Sequence, residues 1–415
     1  MRILILTQFY APEPVFKFPD LARSLRARGH EVQVITGFPC YPNGRTYDGY
    51  RQRLYVEDRI DGVLVTRVPQ FPDHSRSAVR RTLYYFSFAL SAATIGLLRA
   101  RRADVVLVYQ SAFPVGLAAW WISRIKRTPY VLDVVDLWPE SVAAAGVTNR
   151  LAVLSIIRTL VRFIYRGARR INVITQGYWD NLTSLGVPEE KLSLIHCWPA
   201  MGRFDPVPYD AELAKAEQLH GRLNIVYAGA MGPVQDLRTV VEAAGLLHEL
   251  PQVQFVMIGD GTEHNQLVGL AHQCGATNVR FLGRRGPDVV QKLYAMADAL
   301  LVHLKRDPLA KISIPSKTFA YLASGRPILM AVAGEASRLV ERHGCGIAVQ
   351  PSSATALASA VRKLIKMPAS QREQMARAAR VAYQQHYRSD LQINKFESLI
   401  EEAVGRATAP RRNAA

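Results

Sequence analysis

The sequence predicts an α/β protein of two Rossmann-like domains, each a parallel sheet with helices wound against it. Three observations carry this expectation. The chain opens strand, helix, strand; it reopens in the same way after a proline-rich stretch; and strands of its second half run into glycine turns. A length of 415 residues leaves room for two large cores, and 49% hydrophobic with 21% charged residues describes a globular chain. The net charge of +18 asks for an acidic partner: nucleic acid, a nucleotide-bearing substrate or an anionic membrane face. Cys40, Cys197, Cys274 and Cys345 are far apart with no CxxC pair, which argues against a zinc site or disulfide framework and suits a reducing cytoplasm.

Arg2–Thr7 is a buried-strand pattern, and its apolar run is too short for a signal peptide. A proline-rich loop follows at Ala11–Pro14. Phe18, Leu21, Ala22 and Leu25 then share one helical face, the helix stops at Gly29, and Glu31–Thr36 makes the next strand. A ligand of such a parallel sheet sits beyond the carboxyl ends of the strands, which points to the loops 8–17 and 37–50. Lys17 is a candidate anion contact there, or simply a solvated lysine at a helix start.

Thr82–Leu98 carries no charge, with Arg76, Arg80 and Arg81 before it and Arg99, Arg101 and Arg102 after. It falls short of the roughly 20 apolar residues of a spanning helix. The strand, helix, strand pattern that resumes at Asp104 makes it a helix of the fold with a greasy exposed face. In Arg150–Arg170, Arg158, Arg162, Arg166 and Arg169 line one helical face, and Leu154, Ile157, Val161 and Ile164 form another. A cationic amphipathic helix of this kind can lie on anionic lipid, or pack its apolar side on the sheet, or do both. No nucleic-acid recognition module accompanies the basic residues.

Asp133–Ser141 follows a buried strand. Asp136 and Glu140 are placed to act as a base or as acceptor-positioning carboxylates, beside Trp138; a helix-capping role for Asp136 competes with this. Asp133 reads as structural. Strands ending at Thr175 and Ile195 close this half, and the aperiodic Trp198–Ala211 is the linker.

The second domain starts at Leu223–Tyr227, followed by the glycine turn Ala228–Pro233 and a helix from Asp236. The strand Val253–Ile258 runs into Gly259-Asp260-Gly261, and Asn278–Leu282 into Gly283-Arg284-Arg285. Gly229 and Gly232 let the backbone approach a ligand, although neither turn is a full dinucleotide fingerprint. Lys311–Glu335 then reads as polar loop, short helix, turn, apolar strand and second polar loop. Lys311, Ser313, Ser316 and Lys317 crowd before a helix N-terminus, a combination that favours an anion, against the alternative of a basic surface loop.

The succession YAGAMGPVQDL, IGDG, VRFLGRRGPDVVQKLYAMADALLV and PSKTFAYLASGRPI with its GE resembles the GT-B glycosyltransferases of the large retaining family four. TQFYAPE, LRARGHEVQVITGFPCYPNG and DLWPES resemble the bacterial O-antigen and capsule enzymes, N-acetyl-L-fucosamine transferases among them. The resemblance implies two facing Rossmann-like domains with a C-terminal helix crossing back. It divides the chain into an acceptor domain (1–200), a nucleotide-sugar domain (201–370), helices bracing the first domain (371–404) and a tail (405–415). It implies that the backbone at Arg284 meets the base, that Gly229 and Gly232 admit the diphosphate or sugar, that Lys317 neutralises the diphosphate and that Glu335 holds the donor sugar or phosphate. Gln235, Gly259, Asp260, Gly261, Lys311, Ser316 and Lys17 complete the expected donor set. Asp136, Lys317 and Glu335 are the expected catalytic residues, and Trp138, Glu140, Arg158, Arg162 and Arg166 the acceptor and membrane residues.

The family's ribose-binding glutamate is missing, since Ala320 and Ile312 hold the two glutamate positions, so ribose contacts must come from elsewhere, with Lys311, Lys317 and Asp307 as candidates. The implied reaction moves a sugar, an N-acetylated amino sugar by the resemblance, from a UDP-sugar to a polyprenyl-diphosphate-linked saccharide, with retention. Lysines and helix N–H groups would stabilise the leaving diphosphate. No Asp-x-Asp motif ends a strand, so no metal cofactor is expected. The implied place is the cytoplasmic face of the plasma membrane, peripherally bound. A nucleotide-sugar epimerase and a non-catalytic nucleotide-sugar-binding component of an assembly complex are the competing functions.

Overall fold

A computed structural model describes residues 1–75, 77–144 and 150–405. Arg76 and all of the expected tail beyond Gly405 lie outside the described residues. The chain divides into two compact units, residues 1–196 together with the last helix from Asp390, and Cys197–Ser389.

Among the described residues the first unit holds an eight-stranded sheet of β1 (Arg2–Thr7), β2 (Glu31–Gly37), β3 (Val56–Ile60), β4 (Val63–Val68), β5 (Val105–Gln110), β6 (Tyr130–Val134), β7 (Arg170–Val173) and β8 (Leu192–Leu194), in the order β3-β4-β2-β1-β5-β6-β7-β8. All neighbours are parallel except β3, which pairs antiparallel with β4 and carries the exposed, charged sequence VEDRI at the sheet edge. The central strands are apolar because both their faces are covered. The winding reverses between β1 and β5, so the crevice at the carboxyl ends of those strands is the natural ligand position.

α1 (Lys17–Ala27) covers one face, where its Phe18 ring lies 4.8 Å from Tyr109 of β5, and α2 (Ala78–Ser91), α3 (Phe113–Lys126) and α4 (Leu151–Gly167) cover the other, where Tyr165 meets the next residue of β5, Gln110. The uncharged stretch expected as a helix is helical: α2 continues through a π turn at Ala92–Gly96 into Leu97–Arg99. It packs on α3, and α3 on α4. No helix among the described residues is long and apolar enough to cross a membrane.

The second unit's sheet, in the described residues, is six-stranded and parallel throughout: β9 (Leu223–Ala228), β10 (Val253–Ile258), β11 (Val279–Gly283), β12 (Ala299–His303), β13 (Ile328–Ala331) and β14 (Gly346–Ala348), ordered β11-β10-β9-β12-β13-β14. Its strands alternate between two cores. Val226, Val256, Leu300 and Met330 face one, and Ile225, Phe255, Leu301 and Leu329 the other. The second core is closed by α5 (Leu237–Gly245), the first by α6 (Lys317–Ser324) and α7 (Glu335–His343). The winding of this sheet reverses between β9 and β12.

The stretch 371–404, expected as one brace on the first domain, is divided between the units. Residues of α8 (Ala369–Ala382), with Tyr383 and Tyr387 after it, belong to the second unit's core, where Tyr387 lies 5.3 Å from Phe319. Only α9 (Ser389–Ala403) joins the first unit. There the buried Glu397 carboxylate accepts from the Arg28 guanidinium at 2.5 Å and lies 2.9 Å from His30 Nε2. The aromatic residues of the first stretch and the carboxylate of the second dictate this division.

Candidate active site

The second unit places most of the expected donor residues on one crevice. β9 ends at Ala228, and Gly229 turns away with φ +146°; Gly259 follows β10 with φ +130°. The two turns touch: a Cβ on Gly259 would fall 2.0 Å from the Gly229 carbonyl oxygen, and one on Gly229 would fall 2.5 Å from Lys317 Nζ. These glycines are required by close packing as well as by backbone conformation. Around them the Gly232 amide donates to Gln235 Oε1 at 3.2 Å, and the Met231 amide to the Asp260 carbonyl at 2.9 Å. Gly261 packs against Met231, and Asp260 Oδ2 lies 3.4 Å from Arg284 Nε in a surface ion pair.

Lys317 is the first residue of α6, which follows the β12 side of the reversal. Its side chain reaches back across the sheet to β9, where Nζ stands 3.7 Å from the centre of the Tyr227 ring. The ammonium is buried and has no hydrogen-bond partner among the described residues, and burial pulls its pKa from 10.5 down to about 7. Contact with the face of an aromatic ring offsets part of the desolvation of a cation, but far less than an anion would. Tyr227 itself donates to the Ala230 carbonyl at 2.6 Å, which fixes the glycine turn over the lysine.

Two further residues of this crevice escaped the sequence reading. Tyr321, on α6, is the acceptor for the Ala228 amide at 3.1 Å, and so ties α6 to the end of β9. His303, the last residue of β12, bonds through Nδ1 to the Gln235 carbonyl at 2.9 Å; burial lowers its pKa and leaves Nε2 without a partner. Both look like core residues in sequence, because each sits on an otherwise apolar element.

The remaining expected donor residues are less central. Ser316 precedes α6 and is exposed, as is Lys311. Glu335, expected in a loop, is the first residue of α7 and follows Gly334, which packs on the Lys311 backbone. Asp307 is spent as a cap, accepting from the Leu309 amide at 2.8 Å. Ala320 is buried in the core, so its side of α6 faces apolar neighbours.

Lys17 needs a correction. It lies in the first unit, buried, with Nζ 2.7 and 2.9 Å from the two oxygens of the fully buried Asp133, whose Oδ1 also accepts from Asn172 at 2.7 Å. A lysine held in this way is a structural ion pair joining α1 to β6. The expected structural role of Asp133 and the anion-contact role of Lys17 are two sides of one bond, and only the first fits.

At the carboxyl end of β6, burial alone raises the Asp136 carboxyl from 3.8 to about 6. Trp138 donates through Nε1 to the Ser111 carbonyl at 3.3 Å, and Glu140 opens the short helix Glu140–Ala144 with Oε2 buried and unpartnered. On α4, Val161, Ile164 and Tyr165 are buried while Arg158, Arg162 and Arg166 are exposed, and none of these arginines pairs with a carboxylate among the described residues.

Residues 17–198 match the Glycosyl transferase 4-like domain and residues 210–382 match Glycosyl transferases group 1. The chain is a two-domain glycosyltransferase. It is 27% identical over 383 residues to the Escherichia coli (strain K12) protein WcaI, named as a glycosyl transferase of colanic acid biosynthesis, covering 89% of this chain and 93% of that one. It is 26% identical over 308 residues to the Pseudomonas aeruginosa protein WbjE, named as a glycosyltransferase, covering 73% and 75%. The crystal structure of Anabaena Alr3699/HepE in complex with UDP superposes with a TM-score of 0.74 at 16% identity, covering 97% of this chain and 100% of that chain. The glycosyltransferase has the GT-B fold, two Rossmann-like units as expected.

Proposed function

We propose that this glycosyltransferase moves a sugar from a UDP-sugar, bound in the crevice between β9 and β12, to a polyprenyl-diphosphate-linked saccharide during bacterial surface-polysaccharide synthesis. The observation that carries the donor half is the buried, unpartnered ammonium of Lys317 beside the Gly229 turn. A diphosphate supplies the missing partner, and the N-terminus of α6 adds backbone N–H groups beside it. UDP in the HepE complex and the colanic acid name of WcaI support the donor class and the setting.

In the proposed reaction the bond from the anomeric carbon to the leaving diphosphate oxygen breaks as the acceptor hydroxyl oxygen bonds to that carbon, with retention, and the hydroxyl proton passes to the departing diphosphate oxygen. Negative charge grows on the diphosphate, and Lys317 meets it already in place, so no reorganisation is needed at that moment. Asp136 orients the acceptor hydroxyl, and Glu335 and the Arg284 backbone hold the sugar and base. An N-acetylated amino sugar is the proposed donor sugar, and no metal takes part. The chain works peripherally on the cytoplasmic face of the membrane, where α2 and the arginines of α4 meet lipid.

The test is a panel of UDP- and GDP-sugars offered with GlcNAc-diphosphate-polyprenol and read by mass spectrometry. One UDP-sugar should give a mass gain of one residue, unchanged by EDTA. Conversion of the free donor without an acceptor would replace transfer with epimerisation, and donor binding with no product on any lipid acceptor would make the chain a binding component.

A further inference from the structure

The end of β12 carries a second buried nitrogen in the donor crevice. His303 is 1% exposed, and its Nδ1 lies 2.9 Å from the Gln235 carbonyl oxygen. A carbonyl oxygen only accepts, so Nδ1 carries the ring proton and donates it. Nε2, on the other edge of the ring, has no partner among the described residues. Burial is the main reason that the ring's pKa lies below the ordinary histidine value; the Gln235 carbonyl and Asp236 favour a second proton, and the Lys317 ammonium opposes it. The ring is therefore neutral, and Nε2 offers a lone pair that can accept only from an O–H or N–H group. The oxygens of an ionised diphosphate carry no hydrogen and do not serve.

The order of the sheet decides which part of a nucleotide sugar supplies that group. Leu300 of β12 pairs with Val226 of β9, so His303, three residues on, reaches the level of the Gly229 turn. The Lys305 amide donates to the Val234 carbonyl at 2.8 Å and holds the chain after β12 against the same turn. Lys317 Nζ stands over Tyr227, near the end of β9, and Arg284 follows β11. With the strands ordered β11-β10-β9-β12, a base at Arg284 and a diphosphate at Lys317 leave His303 beyond the diphosphate. In a nucleotide sugar the ribose lies between base and diphosphate, and the transferred sugar lies on the far side.

We propose that His303 Nε2 accepts a hydrogen bond from a hydroxyl group of the transferred sugar. This rests on the reading that the crevice binds a UDP-sugar with its base toward Arg284, and it assigns a residue that tells one sugar from another. A sugar without a hydroxyl at that point leaves the imidazole nitrogen buried and unpaired, which is how a polar site rejects a near-isostere.

Two variants separate the edges of the ring. His303→Asn keeps an N–H near the Nδ1 position for Gln235 and removes the acceptor at Nε2. His303→Gln sets an amide oxygen near the Nε2 position and gives up the bond to Gln235. The probes are UDP, UDP-glucose, UDP-galactose, UDP-GlcNAc and UDP-GalNAc, titrated by calorimetry into the full chain. Wild type should bind at least one of these sugars about fivefold more tightly than UDP. His303→Asn should lose that margin at wild-type UDP affinity, and His303→Gln should recover part of it. Fluorine in place of one particular hydroxyl of that sugar should remove the margin from wild type and leave His303→Asn unaffected. A margin that survives in His303→Asn, or that wild type lacks with all four sugars, overturns the assignment. Equal loss of UDP and UDP-sugar affinity in His303→Asn reduces the residue to a brace for the glycine turn. Dependence on His303 confined to GlcNAc and GalNAc gives the contact to the amide N–H and overturns the hydroxyl. Wild-type binding of UDP in each of these cases leaves the donor reading standing; a wild type that takes up neither UDP nor any UDP-sugar defeats both.

Discussion

Lys317 Nζ faces the Tyr227 ring at 3.7 Å and makes no hydrogen bond among the described residues, although its own helix begins at that residue. A fold that buries an ammonium in this way is less stable for it unless something arrives to share the charge.

The first prediction follows from that relationship. The folded chain holds the Lys317 proton only to about pH 7, whereas the unfolded chain holds it to about 10.5. Between these values the unfolded state carries more protons, so stability rises with pH across that window. The penalty is complete below pH 7 and fades toward 10.5. Lys317→Met should therefore raise the Tm of the ligand-free protein at pH 6, with the gain disappearing by pH 10.5. The same variant should lose donor turnover by roughly 100-fold or more. Diphosphate binding should also draw a proton onto the wild-type lysine at pH 8, seen as a buffer-dependent heat in calorimetry. A heat independent of buffer would mean that the phosphate lies elsewhere.

Asp136 gives the second, with the opposite sign of pH dependence. Burial raises its carboxyl to about 6 against 3.8 in the unfolded chain. The folded state holds more protons between those values, so the ionised carboxylate weakens the fold fully above pH 6 and less as pH falls toward 3.8. Asp136→Asn should raise Tm at pH 7.5 and leave it unchanged near pH 3.5. If the carboxylate orients the acceptor, kcat/KM of the wild type should fall below about pH 6, and the Asn variant should be slow and lack that limb. A wild-type profile flat from pH 5 to 8 would remove Asp136 from the chemistry.

Particular residues show how far the sequence could be read. The strands were legible because parallel strands buried on both faces leave apolar runs such as residues 3–6 and 255–258. The glycine turns after β9 and β10 were legible because Gly259 meets the Gly229 backbone and both residues take a positive φ. Partnerships across the sheet were not legible. That Lys17 faces Asp133, 116 residues away, depends on the order of β1, β5 and β6, which no local pattern states. Tyr227, Tyr321 and His303 were missed for a related reason: each lies on an apolar element, and only its neighbour in space reveals the hydrogen bond it makes.

The Lys17 pair makes the third prediction. Lys17→Met leaves the buried Asp133 carboxyl group without its ammonium, and Asn172 is its remaining side-chain partner among the described residues. Breaking a buried pair from one side costs about 3–5 kcal/mol. The double variant Lys17→Met, Asp133→Leu should recover much of that loss, because it removes both charges. Donor KM should be unchanged in the double variant. A raised donor KM at wild-type stability would return Lys17 to the donor site.

The last prediction concerns lipid. Arg158, Arg162 and Arg166 are exposed on α4 and pair with no carboxylate among the described residues, and Leu151, Ile156 and Phe163 of the same helix are exposed apolar residues. Each basic residue near an anionic surface contributes about 1 kcal/mol, and the attraction decays within a Debye length of about 8 Å at physiological salt. Replacing all three arginines by glutamine should weaken binding to phosphatidylglycerol vesicles by roughly 100-fold in a sedimentation assay. Wild-type binding should fall as salt is raised, and the variant should respond much less. The three side chains lie outside the core, so thermal stability should hold and turnover on a short-chain, water-soluble acceptor should be preserved. Loss appearing only with the full-length polyprenyl acceptor would place α4 at the membrane. Unchanged sedimentation of the variant would leave the arginines as a solvated face and shift the lipid contact to α2 alone.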